Sequence, residues 1–262
     1  MSGFDPDWLS LREPADRAAR AGRLIAMAAQ DLAAAGTPVV CDLGAGTGAS
    51  VRAFAPVFPD ATRWVLVDDS ADCLARATAL GPHVEVRQAD LVQTARPWPE
   101  DCALVTATAL FDLASASWID RLVDGLAAAR LPLLSCLTYD GVLDLAPPHA
   151  DDGAIRQAFN AHQRGDKGLG GPACGPDAQG VLIRALTARG YTVETADSPW
   201  VLSAPADGAL IGQTLAGVAN AAAETGQVDP ARAEVWRAAR ASRVPSVVVG
   251  HQDLYARPPS RA

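Results

Sequence analysis

The 262 residues are 49% hydrophobic and 20% charged, the balance of a globular chain, which excludes long disorder, fibres and collagen-like sequence. The 22 basic side chains against 30 acidic ones leave a net charge of −8, and Lys167 is the only lysine. Neither nucleic acid nor an anionic membrane finds a basic face, so both are excluded as expected partners.

No apolar run approaches the roughly 18 residues of a membrane span, and no basic start precedes an apolar segment at the amino terminus. The chain reads as a cytoplasmic protein of one domain. Cys41, Cys73, Cys102, Cys136 and Cys174 lack C-x-x-C spacing and read as reduced thiols, while His83, His149, His162 and His251 stand singly. No metal site is therefore expected.

The first predicted helix runs from Pro14 to Ala35, with Ala18, Ala21, Leu24, Ile25, Met27 and Leu32 at helical spacing and Gly36 as its stop. Five short apolar runs follow, Pro38–Cys41, Trp64–Val67, Val84–Val86, Ala103–Thr106 and Leu133–Leu137, which read as strands. Between them lie helical stretches near 49–57, 71–80 and 118–129, with Ser70 and Ser117 as N-caps and Gly81 as a stop. The connections are too long for hairpins, which implies a doubly wound parallel sheet with helices on both faces.

From Gly141 to Pro176 glycines and prolines break this rhythm, around one amphipathic helix at 154–162. Asp177 is then placed as the N-cap of a helix to Arg189, with Gly190 as its stop and a strand at Tyr191–Thr195. Helices at about 206–224 and 230–241 offer an apolar face for the core or for a second copy of the chain, and a strand at Ser246–Tyr255 closes the pattern.

The sharpest motif is Val39-Val40-Cys41-Asp42-Leu43-Gly44-Ala45-Gly46-Thr47-Gly48, a strand entering a glycine-rich turn that opens a helix. Such a turn brings backbone amides close to a ligand. With Ala49 it also fits the dinucleotide fingerprint, and Asp68 lies 20 residues beyond Gly48 at the end of the next strand. Asp42 before the glycines and Asp90 after the third strand separate the readings, since an acid repels a pyrophosphate and attracts a cationic amino group.

On these residues the sequence resembles the class I S-adenosylmethionine-dependent methyltransferases. An acid followed by G-x-G-x-G corresponds to Asp42, Gly44, Gly46 and Gly48, an acid ending strand two to Asp68, and an acid after strand three to Asp90. The resemblance implies a Rossmann-like sheet of seven strands, mostly parallel with an antiparallel late strand, and S-adenosyl-L-methionine as cofactor. It also implies a domain of residues 1–262, divided into a helical cap at 1–36, a cofactor half at 37–140, a substrate-side insertion at 141–176 and a C-terminal half at 177–262. Asp42 is implied near the methionine end, Asp68 on the ribose hydroxyls, with Asp69 a weaker alternative, and Asp90 near the adenine amino group. Ala45, Leu91 and Thr106 complete the implied cofactor set. Asp42 is equally able to brace the loop.

The family's frequent acid at the start of strand four is absent, as are N-P-P-[FY] and a Pro-Cys dipeptide, so a small-molecule acceptor is expected. Its nucleophilic atom stays open between oxygen, nitrogen and sulfur. A nicotinamide-dependent oxidoreductase and a non-catalytic S-adenosylmethionine-binding regulator are the alternatives. Methyl transfer needs a base only when the acceptor is protonated at neutral pH. Tyr139, His162 and Lys167 are the catalytic candidates, with Asp140 and Asp166 beside them. The run 164–171 reads as an ordinary turn or as a lid, Trp8 and Arg12 as pocket cover or surface packing, and Phe111 and Asp112 lie near the expected acceptor position.

Overall fold

A computed structural model describes residues 5–34, 36–241 and 246–260. Its sheet has the order β3-β2-β1-β4-β5-β8-β6, with β7 pairing to β8. The strands are β1 (Val39–Leu43), β2 (Arg63–Asp68), β3 (Val84–Gln88), β4 (Cys102–Thr108), β5 (Leu133–Ala146), β6 (Thr192–Asp197), β7 (Trp200–Ser203) and β8 (Ser246–Arg257). The first five run parallel, and β8 lies antiparallel between β5 and β6. The order in which strands are added to the sheet reverses between β1 and β4, which opens a crevice at the carboxyl ends of the strands.

β1 is buried throughout because helices cover both faces of the sheet, and its apolar residues therefore need no alternation. One face packs against α5 (Ala116–Ala129) and α7 (Ala178–Ala188), the other against α2 (Gly22–Ala33), α3 (Ala49–Phe54) and α4 (Ala71–Ala77). α5 shows the logic: Trp118, Ile119, Leu122, Val123 and Leu126 form one buried stripe, each contributing about 1.5–3 kcal/mol by leaving water. A third cluster gathers α6 (Asp152–Gln163), α8 (Gly208–Glu224) and α9 (Pro230–Ala241) over β7 and β8. The apolar face of α8 thus packs within this chain through Leu210, Ile211, Leu215 and Val218. No helix among the described residues is long and apolar enough to cross a membrane.

Several sequence expectations are corrected. The amino-terminal segment forms two helices, α1 (Pro6–Ala19) and α2, with Pro14 inside α1 and Ala35 outside the described residues. Asp5 caps α1 through the amide of Asp7, and the break falls at Ala21, whose amide donates to Asp253 Oδ2 at 2.7 Å. Asp253 also accepts from the Leu137 amide and the Ser198 hydroxyl, so one buried carboxylate fixes the helix break to β5 and β8. The cap of α5 is Ser115, not Ser117. Ser70 caps α4 and Asp177 stands at the N-cap position of α7, both as expected, although the Asp177 carboxylate accepts from Arg164 at 2.9 Å and makes no capping bond. β5 continues to Ala146, through a stretch expected to be irregular, because β8 pairs along it with two register shifts. β7 is too short to stand out by alternation.

Candidate active site

The glycine turn follows β1 directly. Gly44, Gly46 and Gly48 have φ of +63°, +53° and +81°, a region that side chains rarely adopt. A Cβ on Gly44 would stand 2.8 Å from Leu110 Cδ1, so crowding adds to backbone strain there. Asp68 ends β2 and fastens the turn: its Oδ2 accepts from the Gly46 amide at 2.8 Å and its Oδ1 from the Ser70 amide at 2.9 Å. Partial burial raises its pKa, against the pull of those two amides. From the opposite side Glu13 of α1 holds Arg52 of α3 through two bonds of 2.7 Å, and Arg52 donates to the Thr47 carbonyl at 2.7 Å. The Arg52 guanidinium keeps the Glu13 carboxyl below its ordinary value.

A cavity of about 720 Å³ opens over this turn, within the range of small-molecule and cofactor sites. Gly44, Ala45 and Gly46 form its floor with Asp68 and Asp69, and Asp90 and Leu91 stand at the end of β3. Leu9, Arg12 and Asp16 of α1 make one wall, while Gln163, Asp166, Lys167, Gly168 and Leu169 make the other. Leu110 and Leu113, after β4, supply an apolar side. Arg12 and Lys167 face five carboxylates across this lining, Asp16, Asp68, Asp69, Asp90 and Asp166. Arg12 is already matched, bonding Asp16 through two nitrogens at 2.9 and 3.1 Å. A cationic ligand therefore suits the cavity and a pyrophosphate does not.

Asp42, Gly48 and Thr106 lie outside this lining. Asp42 is 1% exposed, accepts from the Thr106 hydroxyl at 2.6 Å, and has a pKa pushed up to about 7 by burial. It therefore braces the end of β1 from below, and discrimination against pyrophosphate passes to the carboxylates that line the cavity. Gly48 faces Leu80, Leu66 and Ala77 and is needed for close packing of the turn.

The catalytic candidates divide in the same way. Lys167 lines the cavity, and its amine lies 3.0 Å from His162 Nδ1. His162 stands behind it, with Nε2 3.0 Å from Glu224 of α8. Tyr139 is a correction: its hydroxyl donates to Asn160 Oδ1 at 2.7 Å, and burial raises its pKa further, so it makes no base. Asp140 bonds the Val142 amide at 2.9 Å and also lies outside the lining. Trp8 packs against the third cluster, whereas Arg12 borders the cavity.

The run 164–171 forms a wall, tied at one end by Arg164, which donates to Asp177 Oδ2 at 2.9 Å, and at the other by Leu169 and Cys174. Ser115 donates to the Leu169 carbonyl at 3.0 Å and Cys174 to the Ala114 carbonyl at 2.8 Å, while Asp166 Oδ1 accepts from Gly168 at 2.7 Å. Asp112 sits in the turn after β4 with Oδ1 buried and unpartnered. Burial raises its pKa to about 6 against the nearby charges of Arg12 and Lys167. Sequence reasoning left Asp16 and Gln163 out of the site. Asp16 had a detectable signal, four residues after Arg12 on one helix face.

The chain matches no protein-family model and no curated protein. Several solved structures of similar fold carry methyltransferase names, at low identity. The YcgJ protein from Bacillus subtilis superposes with a TM-score of 0.51 at 12% identity, over 92% of this chain and 100% of that one. Lower scores join the cyclopropane synthase MmaA2 from Mycobacterium tuberculosis, at 0.48 and 15% identity over 89% and 82% of the chains, and the mitomycin 7-O-methyltransferase MmcR, at 0.47 and 15% over 96% and 54%. At these identities the likeness is one of fold.

Proposed function

We propose that this chain binds S-adenosyl-L-methionine and transfers its methyl group to a small-molecule acceptor. The observation that carries the reading is one cavity in which a positive-φ glycine turn meets acids from the next two strand ends, Asp68 and Asp90. The lining fits the group chemically, because carboxylates accept from ribose hydroxyls and an adenine amino group and balance the charge of a sulfonium. When bound, the sulfonium supplies an activated methyl group.

The protein's part is alignment and exclusion of water. Asp68 and Asp69 accept hydroxyl hydrogens, Asp90 an amino hydrogen, and Leu91 gives an apolar surface. Leu110 and Leu113 keep the acceptor side dry, and Lys167 meets the acceptor there. The test is to incubate the protein with S-adenosylmethionine tritiated in the methyl group and a protein-free metabolite extract. Label should enter a small extractable product, and S-adenosylhomocysteine should accumulate. Cofactor binding without any labelled product would overturn the catalytic reading.

A further inference from the structure

Lys167 has a setting that cofactor binding alone does not explain. It is the only lysine of the chain and lines the cavity without a carboxylate partner within ion-pair distance among the described residues, while Arg12 is bound to Asp16. Its Nζ meets His162 Nδ1 at 3.0 Å, and His162 Nε2 meets Glu224 Oε2 at 3.0 Å. A carboxylate only accepts, so Nε2 carries the hydrogen and Nδ1 of the neutral ring offers its lone pair to the Nζ hydrogen. His162 is 27% exposed and Glu224 67%, so this row of groups leads from the cavity to water. Tyr139 has no such path, since it is buried, bonds Asn160 and lies outside the lining.

We infer that Lys167 is the base that takes the acceptor's proton, with His162 and Glu224 as positioning residues, so that the acceptor presents a hydroxyl or an ammonium group. The inference rests on the methyl-transfer reading. The acceptor's O–H or N–H proton goes to the free pair of Nζ. The pair left on the acceptor forms the new bond to the methyl carbon, whose bond to sulfur breaks with its electrons kept by sulfur. The proton then passes to His162 Nδ1 as the Nε2 proton leaves through Glu224 to water, and exchange of the ring hydrogen from Nδ1 back to Nε2 through water restores both the amine and the starting tautomer.

Burial lowers the pKa of Lys167, and the negative charges of Glu224 and Asp112 raise it. The groups around it are His162 on α6, Glu224 on α8, Asp112 after β4, Asp166 in its own loop and Arg12 across the cavity on α1.

A single lysine makes the test direct: protein labelled with 15N at lysine Nζ has one side-chain amine to titrate by NMR, with no ligand present. Its midpoint should fall below the free-lysine value of about 10.4, fall further in Glu224→Gln, and change again in His162→Ala. A midpoint at or above that value, or one unmoved by both substitutions, would overturn the inference. Lys167→Met should keep its S-adenosylhomocysteine affinity within threefold by calorimetry, and a larger loss would make Lys167 a cofactor ligand instead. Failure of wild type to bind S-adenosylhomocysteine would overturn the methyl-transfer reading itself, and the lysine titration would still report on the amine.

Discussion

The two halves of the cavity are built by different means. On the side of β1, β2 and β3 the groups are backbone amides of a glycine turn and carboxylates at successive strand ends, with Asp68 tied to Gly46 and Ser70. On the side of α1 and the segment after α6 they are long side chains positioned by other side chains, Arg12 by Asp16 and Lys167 by His162. The first half is set by the path of the chain, so its chemistry follows from the fold. The second is made of side chains from two segments far apart in the chain, and can change its ligand while the fold stays intact.

The largest effect should come from the floor. Gly46→Val places a branched side chain at φ +53°, with its Cβ 3.2 Å from Leu9 Cδ1, so strain of roughly 1–3 kcal/mol and a blocked floor act together. S-adenosylhomocysteine binding by calorimetry should disappear while circular dichroism remains native; wild-type affinity would remove the turn from the site. Asp68→Ala should weaken binding by roughly 10- to 100-fold, the loss of about 1.5–3 kcal/mol in hydrogen bonds to a charged group. An affinity within a factor of two would break the link between the second strand end and the ligand.

Titration separates two buried groups, Asp42 and His251. The folded pKa of Asp42 is raised to about 7, so its stabilising contribution is complete below about pH 3.9 and is lost as pH rises through 7. His251 has the opposite sign: burial lowers its pKa to about 3, so its contribution is present above about pH 6.5 and is lost as pH falls toward 3. Urea unfolding over pH 4–8 should therefore show less loss on the alkaline side in Asp42→Asn and less on the acid side in His251→Phe. Equal pH dependence in wild type and both variants would contradict these burial assignments. The smallest effect is expected from Tyr139→Phe, which removes the bond to Asn160. Stability should fall by about 1 kcal/mol, roughly 2–4 °C in Tm, with methyl transfer unchanged.

The same division explains what could be read in the sequence. Strand-end acids were legible because a parallel sheet brings its carboxyl ends together, so Asp68 and Asp90 follow from spacing. Asp42 lies inside β1, and a residue within a strand faces a covered side of the sheet rather than the crevice. Its distance from the glycines in sequence gave no hint of that orientation. Lys167 lies beyond the end of α6, so no helical period relates it to His162, and Glu224 follows 62 residues after that histidine. Ser115 displaced Ser117 as a cap because the turn at 111–113 sets the entry to α5. Such relations arise when the chain closes on itself, which local pattern does not encode.

The most direct measurement is titration calorimetry of the purified protein with S-adenosylhomocysteine and, separately, with NADH. Both ligands carry an adenosine, but only NADH brings a pyrophosphate over Asp68, Asp69 and Asp90. Saturable binding of S-adenosylhomocysteine with none of NADH is the predicted result. Binding of NADH alone, or of neither, would contradict the account.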